Sequence, residues 1–153
     1  MQLSAFLSVL AVFAATGAAT PTLRDASVGR ASASIISEVE MAHWLATTDA
    51  ELIFVGQRPN PLSARSAQIT TVTYCDRQVG TICGGTCTVY TGGATCLSTP
   101  GTACISATRN VDFCSSTDCS GTCNALALCR SPMGSGFCST PDTQSIIVRS
   151  TFF

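Results

Sequence analysis

All ten cysteines of this 153-residue chain lie between Cys75 and Cys138, and none lies before or after. So many thiols in so short a stretch mean either a metal cluster or a covalent framework. Structural zinc sites pair Cys-x-x-Cys with His, whereas the paired cysteines here are spaced Cys-x-x-x-Cys and the single histidine, His43, precedes the cluster. The absence of any Cys-x-x-Cys also argues against redox catalysis. The expectation is five disulfides drawn from Cys75, Cys83, Cys87, Cys96, Cys104, Cys114, Cys119, Cys123, Cys129 and Cys138, with no metal and no cofactor. A framework of that kind persists only in an oxidising compartment.

The N-terminus points the same way. Leu3 to Ala15 is an almost unbroken apolar run followed by Thr16-Gly17-Ala18-Ala19, the pattern of a secretory signal peptide over 1–19 cut after Ala18 or Ala19. The run is too short to span a bilayer, and no later segment is long enough, so no membrane span is expected in the mature, extracellular chain. All eight basic residues are Arg, set against nine acids for a net charge of -1. A nucleic-acid partner is therefore not expected.

Residues 20–66 form a Cys-free N-terminal segment or pro-region. Within it, Ile35, Ile36, Val39, Ala42, His43 and Ala46 recur at helical spacing behind Ser34 as N-cap, and Leu52 to Val55 reads as a short strand closed by Gly56. Pro59, Asn60 and Pro61 mark a loop. Residues 67–153 form a disulfide-rich β domain. The fold class expected is small, disulfide-rich and mainly β, with a short N-terminal helix outside the cysteine region.

Inside that domain, Ile69 to Tyr74 and Ser145 to Val148 read as strands, the latter extending toward Phe153, and Asn124 to Leu128 as a helical turn. The runs flanking Gly92-Gly93 predict a two-residue hairpin that places Cys87 and Cys96 diagonally and therefore unbonded to each other. Three echoes in the same order suggest a duplication. Val72-Thr73-Tyr74-Cys75 matches Val111-Asp112-Phe113-Cys114, and Cys83-Gly84-Gly85-Thr86-Cys87 matches Cys119-Ser120-Gly121-Thr122-Cys123. Cys96 to Thr102 matches Cys138 to Thr143, which leaves Cys104 and Cys129 as a candidate pair across the halves.

Catalytic constellations are sparse. His43 reads as a helix-face residue, and the cysteine-rich region offers only Asp76, Asp112 and Asp118 as carboxylates, of which Asp76 and Asp118 read as turn residues rather than acid/base groups. No enzyme is expected and no catalytic residue is assigned. The rings of Tyr74, Tyr90, Phe113 and Phe137 read mainly as core, with Tyr90 the candidate for stacking on a ligand.

Trp44 in its Cys-free segment, Thr73-Tyr74-Cys75, Cys83-Gly84-Gly85-Thr86-Cys87, Val89-Tyr90 and Phe113-Cys114 together resemble the small secreted cysteine-rich proteins of filamentous, especially mushroom-forming, fungi. The resemblance covers about half the chain. It implies an extracellular, effector-like or surface-acting protein and transfers no catalytic residue. The expected function is binding to an unknown protein or glycan, as an effector, a defence or toxin-like factor, or an inhibitor. The alternative is a carbohydrate-binding module for cell-wall polysaccharide, and an extracellular hydrolase stands third.

Overall fold

The computed structural model describes residues 33–57 and 69–150. The expected signal peptide, most of the segment up to Ser34, the expected loop at Pro59-Asn60-Pro61 and any strand extension to Phe153 lie outside those residues.

One helix, α1 (Glu38–Thr47), is followed by β1 (Glu51–Gly56), β2 (Thr70–Val79), β3 (Ile82–Gly92), β4 (Thr95–Ala107), β5 (Val111–Cys114), β6 (Cys123–Ala125) and β7 (Cys138–Val148). The N-cap of α1 is Ser37 rather than Ser34. The Ser37 hydroxyl accepts from the Glu40 amide at 3.1 Å, and the Glu40 carboxylate accepts from the Ser37 amide at 2.8 Å. This reciprocal box satisfies two helix-start donors, and the amide bond from Ser37 holds the Glu40 pKa below its ordinary value. Ser34 is buried instead, with Ile35 bridged to Ala107.

The seven strands form one sheet in the order β1-β3-β2-β4-β7-β5-β6, and only the β1–β3 pairing is parallel. The Gly92-Gly93 hairpin is not formed. β3 turns back on β2 through Gly80-Thr81, where Gly80 has a φ of +59°, and Gly92-Gly93 carries the chain past β2 to its far side. Cys87 and Cys96 are indeed unbonded, but because their strands are not neighbours.

The sheet is doubly folded. A straight 13-residue β4 would run about 40 Å. Yet Ala107 connects through residues 108–110 to Val111, which lies two ladder steps from Thr95, a path of at most about 25 Å. The bend lies at Thr99-Pro100-Gly101-Thr102. Gly101 has a φ of +77°, the Thr102 hydroxyl donates to the Thr99 carbonyl at 2.8 Å, and the ladder register shifts on either side. β7 bends the same way at Thr140-Pro141-Asp142-Thr143, with Asp142 at φ +63° and the Thr143 hydroxyl donating to the Thr140 carbonyl at 2.8 Å. Pro followed by a left-handed residue is turn chemistry set inside a strand. Through these turns β4 and β7 pass between two layers, and the face between the layers holds the main core of Val72, Ile105, Ala107, Val111, Leu126, Ile146 and Val148.

The echoes are structural. Val72↔Ala107, Tyr74↔Ile105 and Cys75↔Cys104 in the first half correspond to Val111↔Val148, Phe113↔Ile146 and Cys114↔Ser145 in the second. Cys75↔Cys87 corresponds to Cys114↔Cys123, and Thr102↔Thr143 lies on the axis relating the halves. The β4/β7 register corrects the third echo by one residue: Cys138 is equivalent to Leu97, and Phe137 to Cys96.

The bridges are Cys75–Cys87, Cys83–Cys104, Cys96–Cys119, Cys114–Cys123 and Cys129–Cys138. The candidate pair Cys104 with Cys129 is not formed. Ser145 occupies the second-half position equivalent to Cys104, and its hydroxyl accepts from the Cys119 amide at 3.0 Å, so Cys119 turns to Cys96.

Candidate functional site

The outer faces of the two layers differ. On the second layer, Cys96 and Cys123 are exposed. On the first, Cys75, Cys83, Cys87 and Cys104 are buried beneath Phe137 and α1. Met41 anchors the helix on that face, where the Thr73 hydroxyl donates to its sulfur at 3.2 Å. Although α1 precedes every cysteine in sequence, in space it covers four of them.

Three residues after Met41, Trp44 lies against Phe137 with ring centroids 4.8 Å apart and planes tilted by 59°, a favourable aromatic geometry. Beside the pair opens a cleft of about 460 Å³. Trp44 and the α1–β1 connection, Thr47 to Ala50, form one wall, and Cys83-Gly84-Gly85, Thr81-Ile82 and Gly134-Ser135 the rest. The Gly134 amide donates to the Thr81 carbonyl at 2.9 Å, which ties the last two of these segments together. The connection is fixed by the Thr48 amide bonding the Trp44 carbonyl at 2.9 Å and the Ala50 amide bonding the Thr48 hydroxyl at 3.2 Å. Gly85 stands at φ +85°, and a Cβ there would collide with the Asp76 carboxylate. That carboxylate accepts from the Thr86 amide at 2.9 Å.

The lining is chemically one-sided. It offers an indole face, hydroxyls of Thr81 and Ser135, one carboxylate at Asp49, and no cationic side chain. Such a site favours cationic, neutral hydroxylated or apolar ligands over anions.

The sequence candidates fall elsewhere. His43 is exposed and outside the cleft lining. Asp112 is buried and ion-paired with Arg149, whose Nε donates at 2.7 Å. Asp118 accepts from the Ser120 hydroxyl at 2.5 Å, which lowers its pKa. Each of the three carboxylates serves a local bond of its own. Tyr90 lies outside the lining too. Its hydroxyl donates to the Gly93 carbonyl at 2.8 Å and its ring packs on the main core, while burial raises its pKa. The sulfurs of Cys75, Cys83 and Cys104 lie within 4.8 Å of one another, but all are held in disulfides. Sequence reasoning missed Trp44 as a site residue. The available signal was that it is the chain's single tryptophan, on a helix at the helical spacing from Met41.

No family model, curated protein or solved structure matches the chain. Among the described residues no helix is long and apolar enough to cross a membrane.

Proposed function

We propose that the chain is a secreted binding protein of effector, defence or inhibitor type that takes its ligand in the Trp44 cleft, without catalytic chemistry. The observation that carries this reading is the cleft itself: a preformed aromatic site on a disulfide-bridged floor, with no acid/base pair along its lining. The signal-peptide pattern, the five bridges and the resemblance to fungal secreted cysteine-rich proteins support the extracellular assignment. Intact-mass analysis of secreted material tests it. A mature N-terminus near Ala19 or Thr20 is expected, and retention of Met1 overturns it.

Because Trp44 is the sole tryptophan, its fluorescence reports on the cleft directly. Titration with soluble oligosaccharides from chitin, β-glucan and cellulose, and with candidate secreted proteins, should shift the emission, and Trp44→Leu should abolish binding measured by calorimetry. Binding that survives Trp44→Leu in a folded protein overturns the site. The carbohydrate-module reading is the second one. It is favoured by the combination of an indole face, Asp49, flanking hydroxyls and no cation, and it relocates the stacking role from Tyr90 to Trp44.

A further inference from the structure

The cysteines beneath the cleft are placed for more than one pairing. β3, β2 and β4 are consecutive in the sheet, and their ladders set Cys75 opposite Cys87 on one side and opposite Cys104 on the other. Residues opposite one another share a face, so three sulfurs stand in a row. The fourth, Cys83, is joined to Cys104, and the sulfurs of Cys75, Cys83 and Cys104 lie within 4.8 Å of one another. Cys83 lines the cleft and is 6% exposed, while the other three are at 0 to 1%.

We propose that Cys83–Cys104 is a site of attack by a small extracellular dithiol, and that its opening transfers the neighbouring bridge from Cys75–Cys87 to Cys75–Cys104. A reagent thiolate enters through the cleft and attacks the Cys83 sulfur, forming a mixed disulfide and releasing the Cys104 thiolate. The second reagent thiol resolves the mixed disulfide and leaves as a cyclic disulfide, restoring Cys83 as a thiol. The Cys104 thiolate attacks the Cys75 sulfur, the Cys75–Cys87 bond breaks, and Cys87 departs as a thiolate. The dithiol supplies two electrons and two protons, and Cys83 and Cys87 end as thiols. The new bridge needs no strand movement, because opposed residues lie about 4.5–5.5 Å apart at Cα and disulfides span about 4.4–6.8 Å. Its result is to free β3, and with it the Gly84-Gly85 floor of the cleft, from both covalent ties.

The second half is a built-in control. There Ser145 stands where Cys104 stands in the first, so opening Cys96–Cys119 places no thiolate opposite Cys114.

The native protein is treated with limiting dithiothreitol at mildly alkaline pH, quenched with iodoacetamide and digested unreduced with trypsin and chymotrypsin. The expected result is release of segment 78–90 carrying two labels, with the Cys75 peptide joined to the Cys104 peptide. Segment 78–90 carrying one label and still joined to the Cys75 peptide, with Cys104 labelled, overturns the proposal. Labelling confined to the other three bridges until circular dichroism reports unfolding overturns it as well.

Discussion

Gly85 and Gly101 have nearly the same left-handed backbone, at φ +85° and +77°, in opposite surroundings. Replacing Gly101 with Ala meets no heavy atom within 4 Å of the new Cβ, so only conformation is charged. A left-handed L-residue costs about 1–2 kcal/mol, and the stiffer unfolded chain returns about 0.4–1 kcal/mol. The net loss for Gly101→Ala is about 1 kcal/mol. Gly85→Ala carries the same conformational cost and also drives the methyl into the Asp76 carboxylate, with Arg77 Cβ at 2.9 Å. Asp76 must swing away and release the Thr86 amide, a charge-assisted bond worth about 1.5–3 kcal/mol, less at this exposed position. The total is about 2–4 kcal/mol. At about 4 °C per kcal/mol for a domain of this size, the midpoint of Gly85→Ala should fall below that of Gly101→Ala by about 4–12 °C. Thermal denaturation of the oxidised variants by circular dichroism measures it. Adding Asp76→Ala to Gly85→Ala removes the collision with the carboxylate and leaves only the contact with Arg77, so the double variant should lose less than the two single losses added together. Equal midpoints for Gly85→Ala and Gly101→Ala, or strict additivity in the cycle, refute the reasoning.

The Asp112–Arg149 pair is lopsided, with side chains 7% and 64% exposed. Arg149→Ala strands a buried carboxylate and should cost about 2–3 kcal/mol in denaturant melts, against about 1 kcal/mol for Asp112→Ala, which leaves the guanidinium in water. Ser37→Ala removes the cap of α1 and should cost about 1 kcal/mol by the same assay, whereas Ser34→Ala should leave helix content unchanged because Ser34 does not cap. Complete reduction should unfold the chain at ambient temperature, read as loss of the thermal transition, since each bridge contributes about 2–4 kcal/mol. His43→Ala should leave both fold and any binding readout intact because the side chain is exposed on α1.

Leu52 to Val55, Thr70 to Tyr74, Ser145 to Val148 and the turn at Leu126 were legible because β-branched runs and stop residues act locally, whereas the far half of β2 and the first half of β7 carry cysteine, charge and turn residues and were not. The duplication was legible too, since equivalent ladder positions call for similar side chains. The Ser37-x-x-Glu40 box was present in the sequence but masked by the apolar residues Ile35 and Ile36, which belong to a bridge rather than to the helix. What Gly92-Gly93 encodes is a change of direction, and a change of direction does not say which strand lies alongside. That depends on β2 occupying the place between β3 and β4, a long-range fact. The bridge pattern was hidden for the same reason, because a single substitution at the Cys104-equivalent position, Ser145, reroutes Cys119. The cleft depends on α1 docking over the cysteine face, to which only Trp44 pointed.

The loops closed by Cys75–Cys87, Cys83–Cys104, Cys96–Cys119 and Cys114–Cys123 overlap one another like links in a chain. Every peptide bond from Cys75 to Cys123 therefore lies inside at least one closed ring, and a protease that cuts any one of them produces no separate fragment. The only gap before the last ring, Cys129–Cys138, is the stretch from Cys123 to Cys129, which carries Leu128 at 76% exposure. Between Cys75 and Cys138, separation by a protease therefore requires a cut in that single short turn, where one cut leaves β7 held to the remainder by packing and hydrogen bonds alone.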